Sequence, residues 1–268
     1  VMLPVDRQGV VDLGAAATAI DDNTLVVSVQ AANNETGVVQ PIERIVAMAR
    51  QRGALVHSDG AQILGKLPLD VTTLDLASFS AHKLYGPKGI GAFFVNRASD
   101  DGLPSPVSFG GGHEGRLRPG TLNTAAIVGF GEACGLASAV MNQEAPRLAA
   151  MRDHFEDLLA SSIEQVVVNS GRALRLTGTS SVTFRGVFAD LLIAHVPSIC
   201  FGFGSACSSG TPSPSHVLTA MGIPVQDAEC TLRFSFGRLN GDDEATEAAS
   251  RLAGCVQQIR LVEKDEDR

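Results

Sequence analysis

The feature that most constrains this chain is an alternation in its first third. β-Branched and apolar runs of four to eight residues take turns with an amphipathic helical stretch, separated by short turns. Thr24–Ala31 (TLVVSVQA), Ala54–His57 (ALVH), Leu74–Ser80 (LDLASFS) and Gly91–Val95 (GAFFV) read as strands. Pro41–Arg52 reads as a helix, with Pro at its opening and Ile42, Ile45, Val46 and Ala49 on one face. Strand, helix and strand in close succession call for an α/β sheet covered by helices.

From Ala125 to Glu164 the pattern changes to Ala, Leu, Met and Glu at helical spacing, which predicts one or two long helices. Short strands are expected at Leu174–Thr177, Ser181–Phe184, Ile199–Phe203 and Thr231–Ser235. Helices are expected near Pro214–Met221 and from Asp242 to about Ile259. This change of pattern places a boundary near 125–140 and divides the chain into 1–130 and 131–268, in keeping with ~150 residues per domain. Val1–Pro4 is strand-like and has no basic or apolar leader before it, so the chain reads as beginning partway through a fold.

Composition narrows the function. With 44% hydrophobic and 19% charged residues the chain can bury a core. The formal charge of -8 has the wrong sign for gripping phosphate backbones, so no direct nucleic-acid binding is expected. No apolar run approaches the ~20 residues of a membrane span, and the longest candidates are broken by Gly, Pro, Ser or His, so no membrane association is expected. Five cysteines without a repeating spacing make neither a disulfide framework nor a metal cluster, which points to a reducing, cytoplasmic setting.

Five segments carry chemistry. His57-Ser-Asp59-Gly-Ala-Gln62 leaves the end of a predicted strand, where ligands collect in open α/β sheets. Asp59 there suits a ring nitrogen that must stay protonated, with Gln62 within reach of a neighbouring oxygen; equally, Asp59 suits a helix cap. Ser80-Ala-His82-Lys83 follows another strand and runs into a glycine-rich turn, Gly86-Pro-Lys-Gly89. A partly desolvated Lys83 is a candidate Schiff-base amine, and Ser80 and His82 offer donors to an anion; the plain alternative is a solvated charge. Gly110-Gly-Gly-His-Glu-Gly through Thr121 adds a flexible glycine tract with two arginines, a loop that can bind an anion through its backbone. Cys207 sits in Gly202-Phe-Gly-Ser-Ala-Cys-Ser-Ser-Gly, the most mobile composition in the chain, where a thiol is exposed and open to activation. Arg233, on a predicted strand, can fork onto a carboxylate or form a structural ion pair.

Together with Asn33-Asn34-Glu-Thr-Gly37 and Arg233-Phe-Ser-Phe-Gly-Arg238, these segments resemble the cysteine desulfurases of the class V aminotransferase superfamily, over nearly the whole chain. The resemblance implies a pyridoxal 5'-phosphate (PLP) transferase of fold type I. The chain would hold the C-terminal part of its large α/β domain followed by a smaller α+β domain with the catalytic Cys loop. Lys83 would carry PLP, Asp59 would pair with its pyridinium nitrogen and Gln62 with its ring hydroxyl. Ser80 and His82 would hold the phosphate, joined by Thr121 from the other subunit of a homodimer. Asn34 and Arg233 would bind the carboxylate of L-cysteine. Cys207 would take the sulfur as a persulfide for a sulfur-acceptor protein. No metal is implied.

About a hundred residues that normally precede this region, with a phosphate loop and a ring-stacking histidine, have no counterpart here. The sulfur's destination stays open between iron–sulfur assembly, tRNA thiolation and DNA phosphorothioation, with the short apolar approach to Cys207 leaning toward the last. That approach also predicts a Cys207 held on a short tether near a strand end, away from the cofactor. A selenocysteine lyase, another class V enzyme, or a non-catalytic scaffold of a sulfur-transfer system are the alternatives.

Overall fold

The computed structural model describes residues 1–96, 104–202 and 214–266. Two compact units divide these residues. The first comprises Val1, Leu13–Ala32 and Gln40–Asn142; the second comprises Met2–Asp12, Asn33–Val39 and Gln143–Arg268. The division falls inside a long helix, and the second unit takes in two short segments from the front of the chain.

The first unit is built on four strands in the order β1 (Val26–Gln30), β2 (Leu55–Asp59), β3 (Leu76–Ser80) and β4 (Gly91–Val95). The first three run parallel and β4 returns antiparallel to β3. Burial alternates along β1, with Val27 and Val29 covered and Val26 and Ser28 exposed, as expected when one face alone is packed. Helix α1 (Leu13–Ala19) precedes β1. Helix α2 (Ile42–Gln51) packs on β1 and β2, burying the predicted Ile42, Ile45, Val46 and Ala49. Pro41 opens it without a side-chain cap, since its ring has no acceptor to offer.

Helix α3 (Thr124–Ser162) is a single helix of 39 residues that reads through Pro146. Its first half buries Ala126, Phe130, Ala133 and Ala137, a stripe at helical spacing. An 18-residue window of α3 has mean hydropathy 1.5, so by length and composition this helix could cross a membrane. The expectation that no apolar stretch reaches that length is therefore corrected: its glycines interrupt the side-chain pattern but not the helix. Only 22% of that window is buried, and the buried stripe packs against Ala81 and Leu84.

The second unit holds a three-stranded antiparallel sheet, β5 (Val166–Asn169), β6 (Thr179–Phe184) and β7 (Thr231–Ser235), with β6 in the middle and buried throughout. The later turns of α3 lay Met151, Phe155, Leu159 and Ile163 against it. Helices α4 (Ala189–His195) and α7 (Asp242–Glu266) close the same core through Leu192, Leu252 and Val256. Two short helices, α5 (His216–Ala220) and α6 (Val225–Glu229), precede β7.

Three predicted strands fail for identifiable reasons. In Leu174–Thr177 only Arg175 pairs among the described residues, with Val38. In Ile199–Phe203, whose last residue lies outside the described residues, only Gly202 pairs among those described, with Arg233; the apolar Ile199 and Phe201 are partly buried against the core without joining a sheet. At the front, Val5 pairs with Val11 across a tight turn, so Val1–Pro4 is not a strand. Strand β5 and helices α1, α4 and α6 are short and go unpredicted.

Candidate active site

The register of the first sheet decides which side chains meet. Gln30 lies opposite Asp59 on β2, and Asp59 opposite Ser78 on β3. Because β2 and β3 are parallel, their carboxyl ends deliver Asp59 and Ser80 to the same edge of the sheet. Asp59 is exposed there, and its Oδ1 accepts the N–H of Ala61 at 2.8 Å. Gln62, half-buried, sits on the turn that follows.

The β3–β4 connection then fixes Lys83. Residues Ala81–Leu84 form a single 3-10 turn capped by Tyr85 in the left-handed region at φ 66°. The turn is closed by the N–H of Gly86 donating to the Ala81 carbonyl at 2.9 Å and the N–H of Ala81 donating to the Ile90 carbonyl at 3.2 Å. A Cβ at Gly86 would lie 2.9 Å from that same Ala81 carbonyl, and one at Gly91 only 2.3 Å from the Phe79 carbonyl. Those two glycines are therefore what permits the tight closure. Ala81 and Leu84 turn inward onto Phe130, Ala133 and Ala137 of α3, which leaves His82 and Lys83 facing outward. Among the described residues Lys83 has no ion-pair or hydrogen-bond partner, and the side chain of Ser80 makes no cap.

One polar row was missed in the sequence. His57 lies on the same side of β2 as Asp59, with Ser28 Oγ 2.8 Å from its Nδ1 and Ser78 Oγ 3.3 Å from its Nε2. The signal was present in the two-residue spacing of His57 and Asp59 along a strand.

The second unit assembles a different group. In the turn Asn33–Gly37, the Oδ1 of Asn33 accepts the N–H groups of Glu35 at 2.8 Å and Thr36 at 2.9 Å, an Asx turn that sets the backbone. Asn34, half-buried, offers its carbonyl to Arg233 Nη1 at 2.9 Å. Arg233 stands on β7, and its Nε is buried without a hydrogen-bond partner among the described residues. A guanidinium N–H so placed is able to donate to an incoming anion.

Thus the structure brings Asp59, Ser80, His82 and Lys83 to one sheet edge, with Gln62 on the adjoining turn, and brings Asn34 and Arg233 together separately. Thr121 lies exposed in the loop that precedes α3. Cys207, and with it the expected tether, lies outside the described residues. The other cysteines are accounted for: burial pushes the thiols of Cys134, Cys230 and Cys255 up, and Cys200 is exposed.

Comparison with known proteins identifies the family of the chain. A family model described as "Aminotransferase class-V" matches residues 1–247. The chain is 38% identical over 260 residues to "Cysteine desulfurase IscS" of Rickettsia felis, a match covering 96% of this chain and 63% of that protein. Among solved structures it superposes on one titled "NIFS-LIKE PROTEIN" with a TM-score of 0.85 at 30% identity, covering 96% of this chain and 68% of the other. It also matches "SspA in complex with cysteine" with a TM-score of 0.72 at 35% identity, covering 88% and 65% respectively. The chain thus spans somewhat under two thirds of the length of the curated relatives it matches.

Proposed function

Because this chain belongs to the class-V aminotransferase family and has the α/β fold of its PLP-dependent transferases over the part it spans, we propose that it acts as a cysteine desulfurase. The observation that carries the reading is the edge of the first sheet, where a carboxylate and a primary amine emerge from adjoining parallel strands. That donor set fits pyridoxal phosphate: a carboxylate for its ring nitrogen, an amine for its aldehyde, and a hydroxyl and an imidazole for its phosphate. When bound, the cofactor supplies an electron sink for the substrate's amino-acid carbons.

Each residue then has a task. Lys83 would carry the cofactor and, once released from it, move the proton at the substrate Cα. Asp59 would hold the pyridinium proton in place, and Gln62 would orient the ring hydroxyl. Ser80 and His82 would donate to the phosphate, together with Thr121 from the second copy of a homodimer. Asn34 and the free Nε of Arg233 would fix the carboxylate of L-cysteine; a solved neighbour at 35% identity is titled as a complex with cysteine. Cys207, as thiolate, would attack the substrate sulfur. The S–S bond forms as the C–S bond breaks, the carbon takes up a proton, and alanine leaves a persulfide on the enzyme. The persulfide passes to an acceptor protein.

The test is direct. Full-length protein reconstituted with PLP is expected to absorb in the visible and to yield alanine and, with a thiol reductant, sulfide from L-cysteine in equal amounts. Lys83→Ala is expected to lose the absorbance. Cys207→Ser is expected to keep it while sulfide release falls to background. A Cys207→Ser protein that releases sulfide at the wild-type rate would overturn the assignment in favour of a lyase that needs no thiol. A wild-type protein that never binds PLP would leave only a scaffold.

A further inference from the structure

We propose that Glu35 is a positioning residue for the Asn34–Arg233 pair, acting through a hydrogen bond to Ser215 and not by touching substrate. The inference rests on the carboxylate-binding role given above to Asn34 and Arg233.

Glu35 is 3% exposed, in a turn whose backbone is already set by Asn33. A carboxyl buried beside an arginine ordinarily pairs with it. Here, among the described residues, Glu35 makes no ion pair with Arg233. Its Oε2 instead accepts the hydroxyl of Ser215 at 2.5 Å, a bond between residues 180 apart in sequence. Ser215 is the N-cap of α5, and its Oγ accepts the N–H of Leu218 at 3.2 Å. With that lone pair engaged, the hydroxyl proton is directed to Glu35.

The turn is held on its other side as well. Gly37 has φ +75°, and a Cβ there would come 2.8 Å from the Thr179 Cβ on β6. The Asn34 carbonyl is therefore pinned between the Glu35–Ser215 bond and the sheet, at the point where it receives Arg233 Nη1. Arg233 is bracketed in turn. Its N–H donates to the Gly202 carbonyl at 3.0 Å and its carbonyl accepts from Gly202 at 3.1 Å. A Cβ on Gly202 would lie 2.6 Å from Nη2, so only glycine lets the backbone pass so close to the guanidinium. By committing Glu35 to Ser215, the fold keeps a buried acid from consuming the guanidinium and leaves Nε for an external carboxylate.

The experiment is a double-mutant cycle in the full-length, PLP-loaded enzyme with L-cysteine as substrate. Glu35→Ala and Ser215→Ala are each expected to raise KM about tenfold with kcat changed less than about twofold, the pattern of lost ground-state binding. The double variant is expected to be no worse than the worse single one, since both remove the same bond. Glu35→Gln, whose amide oxygen still accepts from Ser215, is expected to restore KM to within about twofold. A purely structural role would lower the melting temperature without separating KM from kcat. Wild-type KM values in both single variants, additive losses in the double, or no rescue by Glu35→Gln would overturn the inference while leaving the desulfurase reading intact. Should Glu35→Ala fail to fold, Ser215→Ala and Glu35→Gln decide the matter. A wild-type enzyme inactive on L-cysteine overturns the desulfurase reading and this inference with it.

Discussion

The sheet edge of the first unit and the Asn34–Arg233 cluster of the second are built in opposite ways. At the sheet edge the functional side chains are close in sequence, 59–62 and 80–83, and mostly exposed, with few bonds of their own. Around Arg233 the partners are scattered along the chain, and the bonds that join them, Arg233 to Asn34 and Ser215 to Glu35, span 199 and 180 residues. On the proposed function, the first arrangement would leave groups free for an arriving cofactor. The second would organise an anion site in advance of its ligand, which lowers the ordering cost of binding. The difference teaches that a local motif can supply reactive groups, whereas a selective grip needs tertiary structure to hold it.

The aromatic rings behind each cluster offer the harshest way to break this comparison. Phe155 is fully buried, with ring centroids 4.9 Å from Phe234, next to Arg233 on β7, and 5.3 Å from Phe236, just past the end of that strand. Phe155→Ala is expected to destabilise the second unit by about 3–5 kcal/mol through lost burial and a residual cavity. Phe93, on β4 of the first unit, is 53% exposed. Phe93→Ala is expected to cost less than about 1 kcal/mol, since half its surface already meets water. Urea denaturation of both variants checks this, and equal losses would mean that the two clusters rest on equally deep cores.

A finer contrast sets Lys83 against Arg233. Both substitutions to Ala should remove activity, but only one should disturb the fold. Lys83→Ala removes a side chain with no partner among the described residues and is expected to shift stability by less than about 0.5 kcal/mol. Arg233→Ala strands the Asn34 carbonyl and loosens the bracket at Gly202, and is expected to cost about 1–3 kcal/mol. Denaturation midpoints of the apo proteins separate the two. A destabilised Lys83→Ala would show that the 3-10 turn depends on that side chain.

The same contrast governs what was legible in the sequence. The four strands of the first unit, the sided helix α2 and the emergence of Asp59 and Lys83 from strand ends all follow from patterns within ten or twelve residues. Glu35 stood inside a recognised motif yet drew no role, because its partner is an unremarkable serine at position 215. Ile199–Phe203 misled for a related reason: an apolar run announces burial, and burial against a core was enough to satisfy Ile199 and Phe201 without a sheet. His57 was readable in principle, since its two-residue offset from Asp59 puts both on one side of β2. Its link to Ser28 required the register of a neighbouring strand.

The smallest expected effect tests the buried acid itself. Burial holds the Glu35 carboxyl above its ordinary value of 4.5, against the opposing pull of the Ser215 hydroxyl and the nearby charges of His216 and Arg233. A carboxyl raised in the folded state keeps its proton after the unfolded chain has lost it. Over that interval the native state binds more protons, so stability falls as pH rises. The contribution is fully present below pH 4.5 and is lost as pH climbs through the folded value. Glu35→Gln carries no titrating group but keeps an acceptor for Ser215. Its denaturation midpoint is therefore expected to gain on the wild type as pH is raised from 4.5 toward neutrality. A constant difference between the two proteins across that range would mean that Arg233 and Ser215 fully compensate the burial. In that case Glu35 gives up its proton as readily as in the unfolded chain, and at neutral pH its charge competes with the substrate carboxylate for the guanidinium.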